Sequence, residues 1–225
     1  MSDNDQELLA RCAAIGTSTW ADAMDTLGIA GVVQGIERRG GQGRIAGFAV
    51  TARHVWGGLG DFDRADFAVG RLVAATGPGR VLMVDAGGTC ISTFGGIASL
   101  AASRRQATGV VIDGACRDVD EIRATGLWLA SRHVTPLTGK TRLRLQAMGD
   151  PVTIGGVQVA EGDLVVGDDT GLVVVPRARL QNVLAAAKHA LEVDERVERG
   201  IRDGLSFADA AAAANYIPAS AGGRA

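Results

Sequence analysis

At 225 residues the chain can bury the core of one compact domain, and no shift in composition divides it. Its 23 basic and 25 acidic side chains nearly balance, with a pI near 5.9, which leaves no field strong enough to hold a polyanion and argues against nucleic acid as a direct ligand. Three widely spaced cysteines without a CxxC pair suggest neither a disulfide framework nor a zinc site, and the acidic opening MSDNDQELLARCAAIG is neither a secretory signal nor a membrane span, so a cytoplasmic protein with no membrane partner is expected.

Residues 6–14 and 17–27 read as two short amphipathic helices, the second opened by Thr17 or Ser18 as N-cap and closed by Gly28. The apolar period then changes. Runs at 45–51 and 80–85, bounded by glycine, read as strands, with a helix at 66–75 between them. The stretch GGIASLAASRRQAT at 95–108 carries a helical apolar face, and Gly109 ends it ahead of a buried strand at 110–113. That strand opens into GACRD and a helix at 119–125, so Arg117 and Asp118 fall just past the carboxyl end of a strand, where α/β folds favour small-ligand sites.

Beyond Leu127 the pattern is β: runs at 128–130, 143–145, 152–154, 157–159, 163–167 and 172–175, the last two forming a hairpin candidate in DLVVGDDTGLVVVP. A long, partly exposed helix spans about 177–203, and residues 208–225 read as a frayed tail or a strap on a neighbouring subunit.

Several of these segments, in order and at their spacing, resemble the RraA-like superfamily, which includes 4-hydroxy-4-methyl-2-oxoglutarate/4-carboxy-4-hydroxy-2-oxoadipate aldolases and the regulator of ribonuclease activity that names it. They are TSTWADAMDTLG at 17–28, GRIAGFAVTA at 43–52, DAGG at 85–88, FGG at 94–96, GVVIDGACRDVDEI at 109–122 and PVTIGGVQVAEGDLVVGDDTGLVVVP at 151–176. The resemblance implies an α/β chain with a β/β/α swivelling-type domain, assembled as a homotrimer or dimer of trimers with the site near a subunit boundary. It also implies a lyase that splits or decarboxylates a small 2-oxo acid through a pyruvate enolate, assisted by a Mg²⁺ or Mn²⁺ ion.

Each residue that would carry this chemistry also has an ordinary structural reading. Asp118, with Glu121 three residues on, has the pattern of a capping box; the resemblance makes it the one direct protein ligand of the cation, and sparse carboxylate ligation suits Mg²⁺. Arg117 can be a surface ion pair; by resemblance it holds the keto oxygen, a task for which a planar fork is better than an ammonium. Gly95, Gly96, Ile97 and Ala98 can be a helix start packed on a strand, or a helix terminus whose amides of Ile97 and Ala98 bind the substrate carboxylate. Glu195, on the long helix, resembles a position from which family members reach a neighbour's site through water, while exposure on an acidic helix is the plainer reading. Asp85 with Gly87 and Gly88, and Asp168 with Asp169, read as turn chemistry.

The match departs from the family at one point. Family enzymes carry an acid at a helix start ahead of the Arg-Asp pair, and here that position is Gly96. Decarboxylation is therefore expected to survive better than aldol cleavage, and Asp introduced at 96 to favour the latter. The competing readings are a non-catalytic protein-binding regulator and a metal-dependent lyase for another hydroxy or sugar acid. Methyl transfer is discounted, because no glycine-rich nucleotide loop follows the first strand.

Overall fold

A computed structural model describes residues 2–216. Two N-terminal helices, α1 (Asp3–Ala13) and α2 (Thr17–Thr26), lead into strands β1 (Val32–Val33), β2 (Glu37–Gly40) and β3 (Ile45–Trp56). A 3-10 turn (Arg64–Phe67) and α3 (Val69–Ala75) precede β4 (Arg80–Asp85), β5 (Ser92–Phe94), α4 (Gly96–Arg104), β6 (Gly109–Cys116), α5 (Val119–Thr125) and β7 (Leu129–Val134). Then follow β8 (Leu143–Met148), the hairpin β9 (Val152–Ile154) and β10 (Val157–Val159), the hairpin β11 (Leu164–Gly167) and β12 (Leu172–Val175), and helices α6 (Leu180–Arg202) and α7 (Phe207–Ala214).

One mixed sheet organises these elements, in the order β1-β12-β11-β3-β4-β6-β7-β2, with β5 beside β6 and β8 beside β3. Strands β3, β4, β6 and β7 run parallel, and α3, α4 and α5 lie in the three crossovers that parallel pairing requires. Every residue of β6 is buried, as expected of a strand covered on both faces. This is the β/β/α swivelling-type arrangement, with the helices and the long C-terminal helix where they were expected.

Three apolar clusters hold the layers together. On one side α1, α2 and α6 place Cys12, Trp20, Met24, Leu180 and Val183 against Leu164 and Val173 of the β11–β12 hairpin. A second cluster closes the β9–β10 hairpin over Val81, Met83 and Trp128. The third, with Leu72, Phe94, Ala102, Ile112 and Ile122, packs α3, α4 and α5 onto the parallel strands and so fixes the strand ends that carry Arg117 and Asp118.

The start of α2 differs from expectation. Its N-cap is Gly16, which offers no side chain; the Asp168 carboxylate serves instead, accepting from the Thr17 amide at 2.9 Å and the Thr17 hydroxyl at 2.7 Å. Residues 207–214, expected within a tail, form α7, which buries Ala210 and Ala214 against Val197 of α6. Residues 217–225, the remainder of that expectation, lie outside the described residues. No helix among the described residues is long and apolar enough to cross a membrane.

His54 of β3 is buried beside Phe67, its Nε2 lying 3.3 Å from the Phe67 carbonyl oxygen while Nδ1 finds no partner among the described residues. Burial pushes its pKa down from 6.5 to about 4, against the smaller opposing effect of that hydrogen bond. The unfolded chain takes up this proton near pH 6.5 and the folded chain only near 4, so stability is complete above 6.5 and falls as pH drops towards 4. Denaturant unfolding should show a loss of roughly 1–2 kcal/mol between pH 6.5 and 5, at no more than about 1.4 kcal/mol per pH unit. His54→Leu should flatten that dependence; an unchanged slope would place the titration elsewhere.

Candidate active site

Strand β6 carries the chain to Cys116, and Arg117 is pinned there by its amide, which donates to the Phe94 carbonyl of β5 at 3.0 Å. The backbone then turns through a left-handed residue, Asp118, at φ 56° and ψ 46°, before α5 begins. That turn overturns the capping-box expectation. The Asp118 side chain makes no cap bond to α5; its Oδ2 faces the start of α4, where it accepts from the Gly96 amide at 3.2 Å, and it lies 3.4 Å from Arg117 Nε. Each of the two side chains is about 35% exposed, so the charged ends reach solvent or a ligand while the stems are covered.

Glycine is required at the start of α4 for reasons of space. A Cβ on Gly95 would meet Asp118 Oδ2 at 2.5 Å and Arg117 Cγ at 3.0 Å, so the bare backbone is what lets both charged side chains lie across it. At Gly96 the obstacle is Glu121 of α5. An added Cβ would overlap its carboxylate and stand 2.6 Å from its Cβ and 2.8 Å from its Cδ. Glu121, read from sequence only as a capping partner, therefore brings a second carboxylate to the α4 terminus, across the space that a side chain at 96 would need. Any side chain at 96, the Asp of the expected substitution included, therefore requires Glu121 to move. Gly96→Ala should lower stability by about 1–3 kcal/mol through overpacking. Glu121→Ala should recover only part of that loss, because Glu121 Cβ is itself too close; thermal melts of the two single variants and the double variant check this, and full tolerance of Gly96→Ala would contradict the geometry.

The amides of Ile97 and Ala98 find no protein acceptor among the described residues, as befits the second and third positions of a helix. They open beside a cavity of about 320 Å³ whose lining brings together Gly95, Ile97, Ala98, Arg117 and Asp118. Five of the seven residues singled out from sequence thus converge at the carboxyl ends of parallel strands. Gly96 stands just behind them, and Glu195 is not in that lining: it is exposed on α6, which packs on α2 and α7.

Asp85 belongs to a turn, its carboxylate accepting from the Gly87 and Thr153 amides. Asp168 is likewise structural, joining its hairpin to α2. A larger groove of about 990 Å³ lies at the opposite, amino-terminal edge of the parallel strands, around Gly77, Arg80 and Arg105, away from these groups.

The donor chemistry at Asp118 fits a hard divalent cation that keeps most of its water. Oδ1 has no hydrogen-bond partner among the described residues, no cysteine or histidine lines the cavity beside it, and no group of three His, Cys, Asp or Glu side chains among the described residues forms an all-protein cage.

Fold and site together define an α/β protein with a small-molecule cavity at the carboxyl edge of its parallel strands, built on one arginine-aspartate pair. A family model described as RraA-like, Aldolase/RraA, matches residues 17–174. The chain belongs to the RraA-like family. It is similar, at 30% identity over 91% of its length and 93% of the relative's, to a protein of Halalkalibacterium halodurans named "Putative 4-hydroxy-4-methyl-2-oxoglutarate aldolase". Among solved structures it is similar to an uncharacterized protein from Pseudomonas syringae pv. tomato, with a TM-score of 0.79 and 28% identity, covering 91% of this chain and 96% of that one. It is also similar to RraAS2 of Streptomyces coelicolor, described as an unusual member of the RNase ES inhibitor RraA protein family, with a TM-score of 0.73 and 28% identity over 84% of this chain and 94% of that one.

Proposed function

We propose that this protein is a divalent-metal-dependent lyase that cleaves or decarboxylates a 2-oxo acid. The observation that carries the reading is the convergence of Arg117, Asp118 and the unpaired amides of Ile97 and Ala98 on one cavity. Asp118, through the carboxylate oxygen that does not face Gly96, would hold a Mg²⁺ or Mn²⁺ ion. When bound, the cation supplies a Lewis acid for the substrate's oxygens.

The chain's own groups divide the remaining work. The Ile97 and Ala98 amides, at the positive end of α4, bind and orient the substrate carboxylate. Arg117 donates to the keto oxygen, where negative charge accumulates as the C3–C4 bond breaks and its electron pair moves towards that oxygen. The same charge develops whether carbon dioxide or a second carbonyl compound departs, so one arrangement serves both reactions. Aldol cleavage additionally requires loss of a proton from the C4 hydroxyl. Glu121 is the acidic side chain that overhangs the α4 terminus from within the chain, and Glu195 would serve only across a subunit boundary in a trimer or dimer of trimers.

A panel of 2-oxo acids, including oxaloacetate and 4-hydroxy-4-methyl-2-oxoglutarate, assayed for pyruvate release with Mg²⁺, with Mn²⁺ and with a chelator, tests this reading. Cation-dependent release from at least one of them is expected. No release from any, together with unaltered behaviour on chelation, would leave a protein-binding regulator as the better account.

A further inference from the structure

The cavity beside Arg117 and Asp118 is chemically lopsided. Away from the charged pair its wall consists of Phe67, Val69 and Val73, from the 3-10 turn and α3, and of Ala98 and Ala101 on α4. Ile97, at the same site, is 84% exposed and adds its alkyl group to the mouth of the cavity. Three hydroxyl residues also line it: Ser92 donates to the Phe94 carbonyl, Thr138 accepts from the Lys140 amide, and Thr93 is buried with no hydrogen-bond partner for its hydroxyl among the described residues. Apart from the Arg117–Asp118 pair, the one charged residue in the lining among the described residues is Lys140, which is exposed.

A site built to read a second carboxylate would set several cations or amides around that carboxylate, whereas beyond the Arg117–Asp118 pair this lining offers the single exposed Lys140 beside a wall that is largely hydrocarbon. From this we propose that the substrate is a 2-oxo acid whose group beyond the bond to be cleaved is an uncharged branched alkyl or aryl substituent; the inference rests on the lyase reading above. At about 320 Å³ the cavity is at the small end of ligand sites, enough for the oxo-acid head and one such substituent. Each methylene of that substituent buried against Val69, Val73 and Ala101 should strengthen binding by about fourfold.

The test compares two ligands of nearly equal size and shape. In 4-methyl-2-oxopentanoate the oxo-acid head carries an isobutyl group; in 2-oxoglutarate it carries a chain of similar length ending in a carboxylate. Calorimetric titration of the full chain in the presence of Mg²⁺, with pyruvate as the reference, should show 4-methyl-2-oxopentanoate binding about tenfold or more tightly than either of the others. Ala101→Phe and Val73→Phe, which fill the cavity from two different helices, should each bring that ligand back to within about threefold of pyruvate.

Equal or tighter binding of 2-oxoglutarate, lost on Lys140→Met, would show that the cavity reads a second carboxylate and would overturn the inference. If oxaloacetate is decarboxylated but the isobutyl group adds nothing, this inference fails and the lyase reading stands. If no 2-oxo acid binds or is cleaved, both fall together.

Discussion

Asp118→Asn should abolish most cation-dependent cleavage of 2-oxo acids, by roughly 10³-fold, while leaving the fold and the melting temperature almost unchanged. The size of the loss follows from the several kcal/mol of charge stabilisation that a bound cation supplies as the bond breaks. The intactness of the fold follows from the backbone. Asp118 sits in the left-handed region at φ 56°, which Asn adopts more readily than most residues other than glycine, and the Asn amide oxygen can still accept from the Gly96 N–H. Asp118→Ala would confuse the two effects by adding backbone strain, so Asn is the informative change. Side-by-side melts and pyruvate-release assays check this, and a variant with wild-type turnover and wild-type cation dependence would remove Asp118 from the mechanism.

Arg117→Lys should keep the positive charge beside Asp118 and still lose about 10²-fold in turnover, with little change in stability. The Arg117 amide is held by the Phe94 carbonyl, so the backbone position survives the substitution; what changes is the head group. A guanidinium offers several N–H donors in a fixed plane, and in the free protein one of its nitrogens, Nε, already lies 3.4 Å from Asp118 Oδ2, leaving its other donors for a substrate oxygen. An ammonium on a flexible stem cannot hold both partners in that geometry. Wild-type rates in Arg117→Lys would reduce Arg117 to an ion pair with Asp118.

Much of this site was legible in the sequence because it lies where local pattern is strongest. The glycine-bounded apolar run ending at Cys116 marks a buried strand, and a strand end followed by a helix start fixes where Arg117 and Asp118 must be. The helix beginning at Gly96 was visible for the same reason.

What stayed hidden depends on contacts between distant elements or on backbone states that residue type does not announce. Nothing in RDVDE says that Asp118 is left-handed, and a capping box is what the spacing suggests; only the close approach of α4 turns its carboxylate towards Gly96. Glu121 was invisible as a neighbour of Gly96 because the two are 25 positions apart and meet only when α4 and α5 pack together. Strand β3 continues to Trp56, past the run expected to end at Thr51, because β8 pairs with Arg53 and His54, polar residues that interrupt the apolar pattern. Phe67, Val69 and Val73 scan as an ordinary helix face, and their place in the cavity wall follows from where α3 lands on α4.

The most direct test of the central claim is Mn²⁺ binding, followed by electron paramagnetic resonance, to the wild-type chain and to Asp118→Asn. The account predicts one bound Mn²⁺ per chain in the wild type, displaced by Mg²⁺, its signal perturbed when a 2-oxo acid is added, with binding weakened at least tenfold in the variant. Equal Mn²⁺ binding by the two proteins, or a bound ion whose signal ignores every 2-oxo acid, would contradict it.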